Sequence, residues 1–341
     1  MAQKVLVTGG TGYIGSHTVV ELQESGYDVV IVDNLSNSTA NVVNQSARIT
    51  KIKPEFEKFD LTDAKKTENF FIRNSDISSI IHFAASKAVG ESVEKPLLYY
   101  RNNLVSMMNL LDCQLKFNVP GMVFSSSCTV YGQPEKLPVT EESPRKDAES
   151  PYGNTKRVSE DILHDVIVAN PQLKGIALRY FNPIGAHPSA RIGELPLGVP
   201  QNLIPFITQT AAGLREELKV FGNDYNTPDG SAIRDYINVV DLAKAHVIAI
   251  ERLIQNRNKA SYEVFNLGTG TGLSVLEIVK NFEAATGVKL NYKIVDRRAG
   301  DVEKIWADTT LANNELGWKA KTEIKETLLS AWNWEKRLRK M

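Results

Sequence analysis

The chain has 341 residues, with 40 basic and 40 acidic side chains and a formal net charge of zero. That length can bury one large or two modest cores, and the interspersed charge leaves no basic tail or stripe for nucleic acid or an anionic membrane. No apolar run is long enough for a signal peptide or a membrane span, and the two cysteines, Cys113 and Cys128, have no second thiol nearby in sequence, so a cytoplasmic protein is expected.

The first apolar, β-rich run is Val5–Thr8, and a glycine-rich turn separates it from a helically spaced stretch at Ile14–Glu24. Further short apolar runs at Val29–Val32, Phe56–Phe59, Ile80–Phe83, Met122–Ser126 and Ile176–Phe181 read as strands, with a long helix at Leu97–Phe117. Strands this apolar are covered on both faces, and their alternation with helices predicts right-handed βαβ units. The expected class is therefore α/β, a doubly wound parallel Rossmann sheet. Residues 182–201 are rich in Gly and Pro and read as a long binding loop. Beyond it the pattern predicts a helix at Ile204–Leu214, a strand at Leu218–Phe221, a loop at Gly222–Ala232 and a helix at Asp241–Leu253. A strand at Tyr262–Leu267 is expected to rejoin the first sheet. A serine-capped helix, Ser274–Thr286, a strand, Leu290–Val295, and a terminal helix, Leu328–Arg339, complete the chain. The expected division is a dinucleotide-binding domain of residues 1–181 and 236–268, and a smaller, discontinuous C-terminal α/β substrate domain of residues 182–235 and 269–341.

Gly9-x-x-Gly12-x-x-Gly15, with Tyr13 and Ile14 inside it, sits between a predicted strand and a predicted helix. Glycines there permit a tight turn and close approach of backbone to a pyrophosphate, and the helix N-terminus adds N–H donors and positive potential. Asp33-Asn34 ends the second strand, where a carboxylate accepts from the adenosine ribose and repels a 2′-phosphate, so NAD is expected over NADP. Asp60-Leu61, at the end of the third strand, reads either as an adenine contact or as a helix cap followed by a core residue. Phe83 ends the fourth strand. The five histidines are scattered without ligand spacing, and no metal site is expected.

Tyr152 and Lys156 are one helical turn apart and share a helix face. A phenol titrates near pH 10 in water and becomes a usable base only where cations stabilise the phenolate. Lys156 and an oxidised nicotinamide are two such cations. A Tyr–Lys pair alone is common on helix surfaces, but here a strand ends upstream in Ser125-Ser126-Ser127-Cys128-Thr129, at the sheet edge where ligands bind. Ser127 or Thr129 is placed to hydrogen-bond a substrate oxygen.

With these motifs the chain resembles the extended short-chain dehydrogenase/reductase family, and within it the epimerases of UDP-hexoses. The resemblance runs nearly end to end, through residues 7–17, Lys87-Ala88-Val89-Gly90-Glu91-Ser92, Arg179-Tyr180-Phe181-Asn182-Pro183, Phe221-Gly222-Asn223-Asp224-Tyr225, Arg234-Asp235-Tyr236 and Arg297-Arg298-Ala299-Gly300-Asp301. It implies reversible inversion at C4 between UDP-galactose and UDP-glucose through a transient 4-keto sugar, with tightly bound NAD. In that scheme Tyr152 is the base, Lys156 lowers its pKa and Ser127 positions the oxygen. Lys87, Asn102 and Phe181 join the cofactor site. Asn182, Asn202, Arg234, Arg298 and Asp301 hold the uridine diphosphate, the guanidinium groups by forked bonds to phosphate oxygens. Phe181 and Phe221 are candidates to flank the sugar and the uracil, but an apolar aromatic at a strand end is more often core packing, and Phe221 is left out of the site. The family often has tyrosine where this chain has Ile305, so room for a 2-acetamido group is expected, and with it turnover of UDP-N-acetylglucosamine. A homodimer built on long helices is also implied, with Leu97–Phe117 and Val158–Val168 as candidates. The competing readings are a sugar-nucleotide 4,6-dehydratase or a decarboxylase on the same scaffold, and a non-enzymatic NAD-sensing module.

Overall fold

The computed structural model describes residues 3–298 and 302–341. Strand and helix alternate from the start: β1 (Lys4–Thr8), α1 (Tyr13–Glu24), β2 (Asp28–Asp33), α2 (Asn41–Thr50), β3 (Glu55–Lys58), α3 (Ala64–Arg73) and β4 (Ile77–His82). Next come α4 (Val89–Glu94), α5 (Pro96–Lys116), β5 (Gly121–Ser127), α6 (Pro151–Ala169) and β6 (Lys174–Tyr180). The remainder holds β7 (Asn182–Ile184), α7 (Leu203–Ala211), β8 (Leu218–Phe221), β9 (Ile233–Asn238), α8 (Val239–Ile254), β10 (Tyr262–Leu267), β11 (Gly272–Ser274), α9 (Val275–Thr286), β12 (Tyr292–Val295), β13 (Lys304–Ile305) and α10 (Ile324–Arg339).

The main sheet has seven strands in the order β10-β6-β5-β4-β1-β2-β3, every pairing parallel. Successive side chains of a strand enter opposite faces. Val5, Val7, Val29 and Ile31 pack on one side with Val19 and Leu22 of α1 and Leu242 and Ile250 of α8. Leu6, Val30 and Val32 pack on the other with Phe70 and Phe71 of α3, Met107 of α5 and Leu163 of α6. Both faces are therefore dry, which is why these strands read as unbroken apolar runs. Full burial of side chains this size contributes about 1.5–3 kcal/mol each. The strand order reverses between β1 and β4, and open α/β sheets bind ligands at the carboxyl ends of the strands flanking such a switch.

The second half has a core of its own. Ile204 and Ile207 of α7, Val220 of β8, Ile278 and Phe282 of α9, and Leu328 and Trp332 of α10 pack together. Its centre is β9, which pairs with β7, β11 and β13. This strand is not foreseen in the sequence because Ile233-Arg234-Asp235-Tyr236-Ile237-Asn238 is too polar to read as buried. Its buried Asp235 carboxylate accepts from Thr269 N and Oγ1, Gly270 N and Ala307 N at 2.7–3.2 Å, so the charge pins the neighbouring turns. The expected loop 182–201 begins with the short strand β7, and the helix expected to reach Leu214 stops at Ala211, before Gly213 at φ 73°. Ser274 caps α9 in a reciprocal capping box with Glu277. Residues 312–318 return to the first core through Ala312, Leu316 and Trp318, and Trp318 Nε1 donates to Asp241 O at 2.9 Å.

Candidate active site

The glycine turn lies at the switch point. Gly9 N donates to Val32 O at 2.8 Å and Phe83 N to Thr8 O at 3.1 Å, so β1, β2 and β4 converge on it. Gly9 has φ 69°, and a Cβ there would meet Ala84 N at 2.7 Å. A Cβ on Gly15 would press into the Gly9 carbonyl oxygen. Gly12 differs: a Cβ there would meet nothing but Gly9 O, at 3.1 Å. It is also the N-cap of α1 and supplies no side-chain cap, so no capping side chain competes for the first-turn N–H groups and the positive end of the helix dipole. That combination fits a pyrophosphate. Tyr13 OH donates to Gly185 O at 2.7 Å, which ties the turn to the second half.

At the far end of this crevice, Asp33 Oδ2 accepts from Thr11 N at 3.2 Å and Oδ1 from Leu35 N at 2.8 Å. Asn34 Nδ2 donates to Asp60 Oδ2 at 3.0 Å. Burial alone would raise the Asp60 carboxyl, but donors from Thr62 and Asn34 outweigh it and hold it below its ordinary value. These residues form one polar rim suited to an adenosine. Leu61 is buried, and its carbonyl accepts from Asn109 Nδ2 at 2.7 Å. The Phe83 ring packs into the core against His246, tilted by 49° with centroids 4.7 Å apart, and its backbone carbonyl carbon borders the glycine turn.

The chemical groups meet at the ends of β5 and α6. Ser150 caps α6, accepting from Gly153 N at 3.2 Å, and Pro151 starts the helix, which presents Tyr152, Lys156 and Glu160 on successive turns. Burial pushes the Tyr152 phenol up to about 12, with the neighbouring Cys128 thiol adding to the rise and the Ser127 hydroxyl opposing it. Lys156 Nζ does not bond the phenol. It donates to Ser125 O at 2.6 Å and lies 5.0 Å from the Phe124 ring centroid. Burial pushes this ammonium down to about 7, against the attraction of Glu160. Lys156 lies on the same helix as Tyr152, one turn on, and is buried, but protein groups alone do not lower the phenol. Ser127 accepts from Thr129 N at 3.2 Å.

Phe181 and Ile305 are buried in one small apolar cluster with Cys128, beside these groups. Arg234 Nη1 donates to Ile233 O at 2.9 Å, and its charge acts on the Cys128 thiol, so it borders the same space. Asn182 opens β7 opposite Tyr236. Lys87, Asn202 and Tyr13 gather at Glu194: Oε1 accepts from Asn202 Nδ2 at 2.6 Å and from Lys87 Nζ at 3.5 Å, and its charge raises the Tyr13 phenol, second to burial. Asn102 Nδ2 donates to Ser86 Oγ at 3.1 Å. The Arg298 guanidinium lies 5.8 Å from the Phe221 ring centroid, and Phe221 is exposed, which corrects its reading as core. Asp301 lies outside the described residues.

Sequence reading misses Glu194 and Asn103. Glu194 belongs to no motif, and only the folded chain brings it to Lys87. Asn103 accepts from Ser86 N at 2.8 Å and donates to Thr155 Oγ1 at 2.9 Å, joining the loop after β4 to the Tyr152 helix. Its place next to Asn102 is the sole hint. Among the described residues no group of three or more His, Cys, Asp or Glu could hold a metal ion.

A parallel sheet with an uncapped glycine turn at its switch point, facing a buried Tyr–Lys helix, defines a short-chain dehydrogenase/reductase. A family model described as GDP-mannose 4,6 dehydratase matches residues 6–330. A UDP-glucose 4-epimerase of Bacillus subtilis is 50% identical over 331 residues, covering 97% of this chain and 96% of that one. UDP-glucose 4-epimerase 2 of Arabidopsis thaliana is 51% identical over 340 residues, covering 98% and 95%. The crystal structure of the Bifidobacterium longum UDP-glucose 4-epimerase in complex with NAD+ and UDP is 47% identical, with a TM-score of 0.94 and 98% of each chain covered. The chain belongs to this family of nucleotide-sugar enzymes, and within it to the UDP-glucose 4-epimerases.

Proposed function

We propose that the chain interconverts UDP-galactose and UDP-glucose by inverting C4, as an NAD-dependent isomerase. The observation that carries this is the Tyr152 phenol set beside Ser127, at the carboxyl end of β5, next to a glycine turn shaped for a dinucleotide. The dehydratase reading is not favoured. Eliminating water needs an acid–base pair at that strand end, where this chain has Cys128 and Thr129, and burial pushes the Cys128 thiol up to about 12. A sensing module has no use for the buried Tyr–Lys helix.

In this scheme Gly9, Gly12, Tyr13, Ile14 and Gly15 hold the pyrophosphate, Asp33, Asn34, Asp60 and Leu61 the adenosine, and Phe83, Lys87, Asn102, Tyr152, Lys156 and Phe181 the nicotinamide end. NAD held there would supply the hydride acceptor and donor for C4, and its oxidised ring a positive charge favouring the Tyr152 phenolate. Tyr152 takes the proton from the 4-hydroxyl and gives it back. Ser127 hydrogen-bonds that oxygen, and Lys156, fixed by Ser125 O, supplies a second positive charge on the same helix face. Arg234, Arg298, Asn182, Asn202 and Asp301 anchor the diphosphate and uridine. Firm anchoring there leaves the keto sugar loosely held, and it must be, to turn over. The seat lies between residues 1–181 with 236–268 and residues 182–235 with 269–341, with residues 312–318 reaching back to the first core.

Isoleucine is smaller than the tyrosine the family often carries at position 305, which favours UDP-N-acetylglucosamine as a second substrate. A homodimer through α5 and α6 is supported by exposed Leu97, Leu98 and Met108 on α5 and Val168 on α6. No helix among the described residues is long and apolar enough to cross a membrane. Both thiols are buried and unpaired, which suits the cytoplasm. The test is to purify the protein, assay for retained NAD, and measure UDP-galactose to UDP-glucose conversion without added oxidant. A lasting 4-keto-6-deoxy product, or no conversion, would overturn the assignment.

A further inference from the structure

Three consecutive serines of β5 engage three successive turns of α6. Ser127 faces Tyr152, Ser125 O accepts from Lys156 Nζ, and Ser126 Oγ donates to a carboxylate oxygen of Glu160. Glu160 is buried, with 1% of its surface exposed. Arg179 of β6, across from Ser126 in the sheet register, grips it with two bonds, Nε to Oε1 at 2.9 Å and Nη2 to Oε2 at 2.6 Å. Arg179 Nη1 in turn donates to Tyr131 OH at 3.0 Å, and Tyr131 OH to Asn266 Oδ1 at 2.7 Å. The helix bearing the base is thus fixed in rotation and height against β5 and β6 by a buried ion pair, one turn beyond Lys156.

We infer that Glu160 is a positioning residue for the epimerisation: through Ser126 and Arg179 it sets the register of α6 on β5. The inference rests on the reading of Tyr152 and Lys156 given above. A hydrophobic pair of similar volume often replaces a buried ion pair with no loss of stability, so a staple alone does not call for these charges. The groups that face this pair are few. His82 of β4 lies within electrostatic reach of Lys156. Arg145 Nη1 stands 3.4 Å from Glu160 Oε2, and Tyr262 of β10 feels the Glu160 charge. Burial lowers Lys156, and Glu160 is the opposing charge. Its removal makes Lys156 lose its proton at lower pH.

The test uses full-length holoenzyme. Glu160→Met/Arg179→Met removes both charges, and Ser126→Ala cuts the tie to β5 while leaving the ion pair in place. Retained NAD and the circular dichroism spectrum establish folding. Misplacement of a reacting group by an ångström costs roughly 100-fold in rate. The folded double variant should accordingly lose about 10- to 100-fold in kcat at unchanged KM, with the alkaline limb of its kcat profile displaced to lower pH. Ser126→Ala should lose a smaller factor, also in kcat. Wild-type kcat and an unmoved alkaline limb in the folded double variant overturn the inference. If the double variant does not fold, wild-type kcat in Ser126→Ala overturns it. Wild-type turnover of UDP-galactose, measured alongside, separates this failure from failure of the functional assignment itself.

Discussion

Lys156 Nζ is bonded to Ser125 O at 2.6 Å, not to the Tyr152 phenol whose ionisation it is expected to assist. The ammonium therefore acts on Tyr152 through space, from a fixed point on the same helix face. Burial raises the phenol to about 12, so little phenolate is present near neutral pH until further positive charge offsets that burial. Removing the phenolic oxygen should then stop the chemistry without emptying the cofactor site. Tyr152→Phe is expected to lower kcat by about 10²–10⁴ while purifying with its dinucleotide. Absorbance of the released cofactor and a coupled UDP-glucose assay check both halves. Full activity in this variant contradicts the assignment.

The glycines divide by what surrounds them. At Gly15 an alanine methyl is driven into Gly9 O, and such overpacking costs roughly 1–3 kcal/mol. Gly15→Ala should lower Tm by several degrees. At Gly12 the methyl meets Gly9 O at the milder distance of 3.1 Å, so Gly12→Ala should lower the Tm of the cofactor-free protein less than Gly15→Ala does and, at the turn proposed to hold a pyrophosphate, lose dinucleotide affinity by about tenfold, or about 1.4 kcal/mol. Thermal melts and titration with NAD distinguish the two. Equal effects at both positions would refute the division.

Ile305 lies 4% exposed among Cys128 and Phe181, beside the reacting groups. Wild type should turn over UDP-N-acetylglucosamine as well as UDP-glucose. Ile305→Tyr should retain turnover of UDP-glucose and lose most of its turnover of UDP-N-acetylglucosamine. Chromatography of both product pairs reads this out, and absence of acetamido-sugar turnover by wild type ends the idea.

Acid should unfold the protein through its interior histidines. Burial pushes His17 and His82 down to about 3 and His246 to about 4, whereas unfolded histidine titrates near 6.5. The unfolded chain binds more protons at these sites below pH 6.5, so stability falls as pH drops from 6.5 toward 4. Glu21, raised by burial to about 7, works the other way between about 7 and its unfolded value near 4.3, but three histidines oppose it. The urea midpoint should decline between pH 7 and 5. Replacing His82, whose Nδ1 pairs with Thr8 Oγ1 at 2.8 Å, by Gln should flatten that decline. A midpoint that holds constant from pH 7 to 5 would contradict this account.

The parts of the fold legible in the sequence are those set by local patterning. Strands covered on both faces are apolar throughout, as Val29–Val32 is, and the Gly9–Gly15 spacing and the Tyr152–Lys156 turn are fixed by short-range geometry. What escapes is set by contacts distant in sequence. Strand β9 buries Asp235 because donors arrive from residues 269–307. Glu194 gains meaning from Lys87, 107 residues away. Phe221 has the apolar character of a core residue, but lies exposed beneath Arg298. Residue type alone does not tell which carbonyl an ammonium will choose, so the attachment of Lys156 to Ser125 is visible only in three dimensions.

The return of Trp318 to the first core has a consequence for biogenesis. Synthesis proceeds from the N-terminus, and domains generally fold as units during it. The half that carries the glycine turn is not fully packed until Ala312, Leu316 and Trp318 have left the ribosome. Until residues 312–318 have emerged, the apolar surface they cover in that core stays open to solvent, where chaperones can bind it.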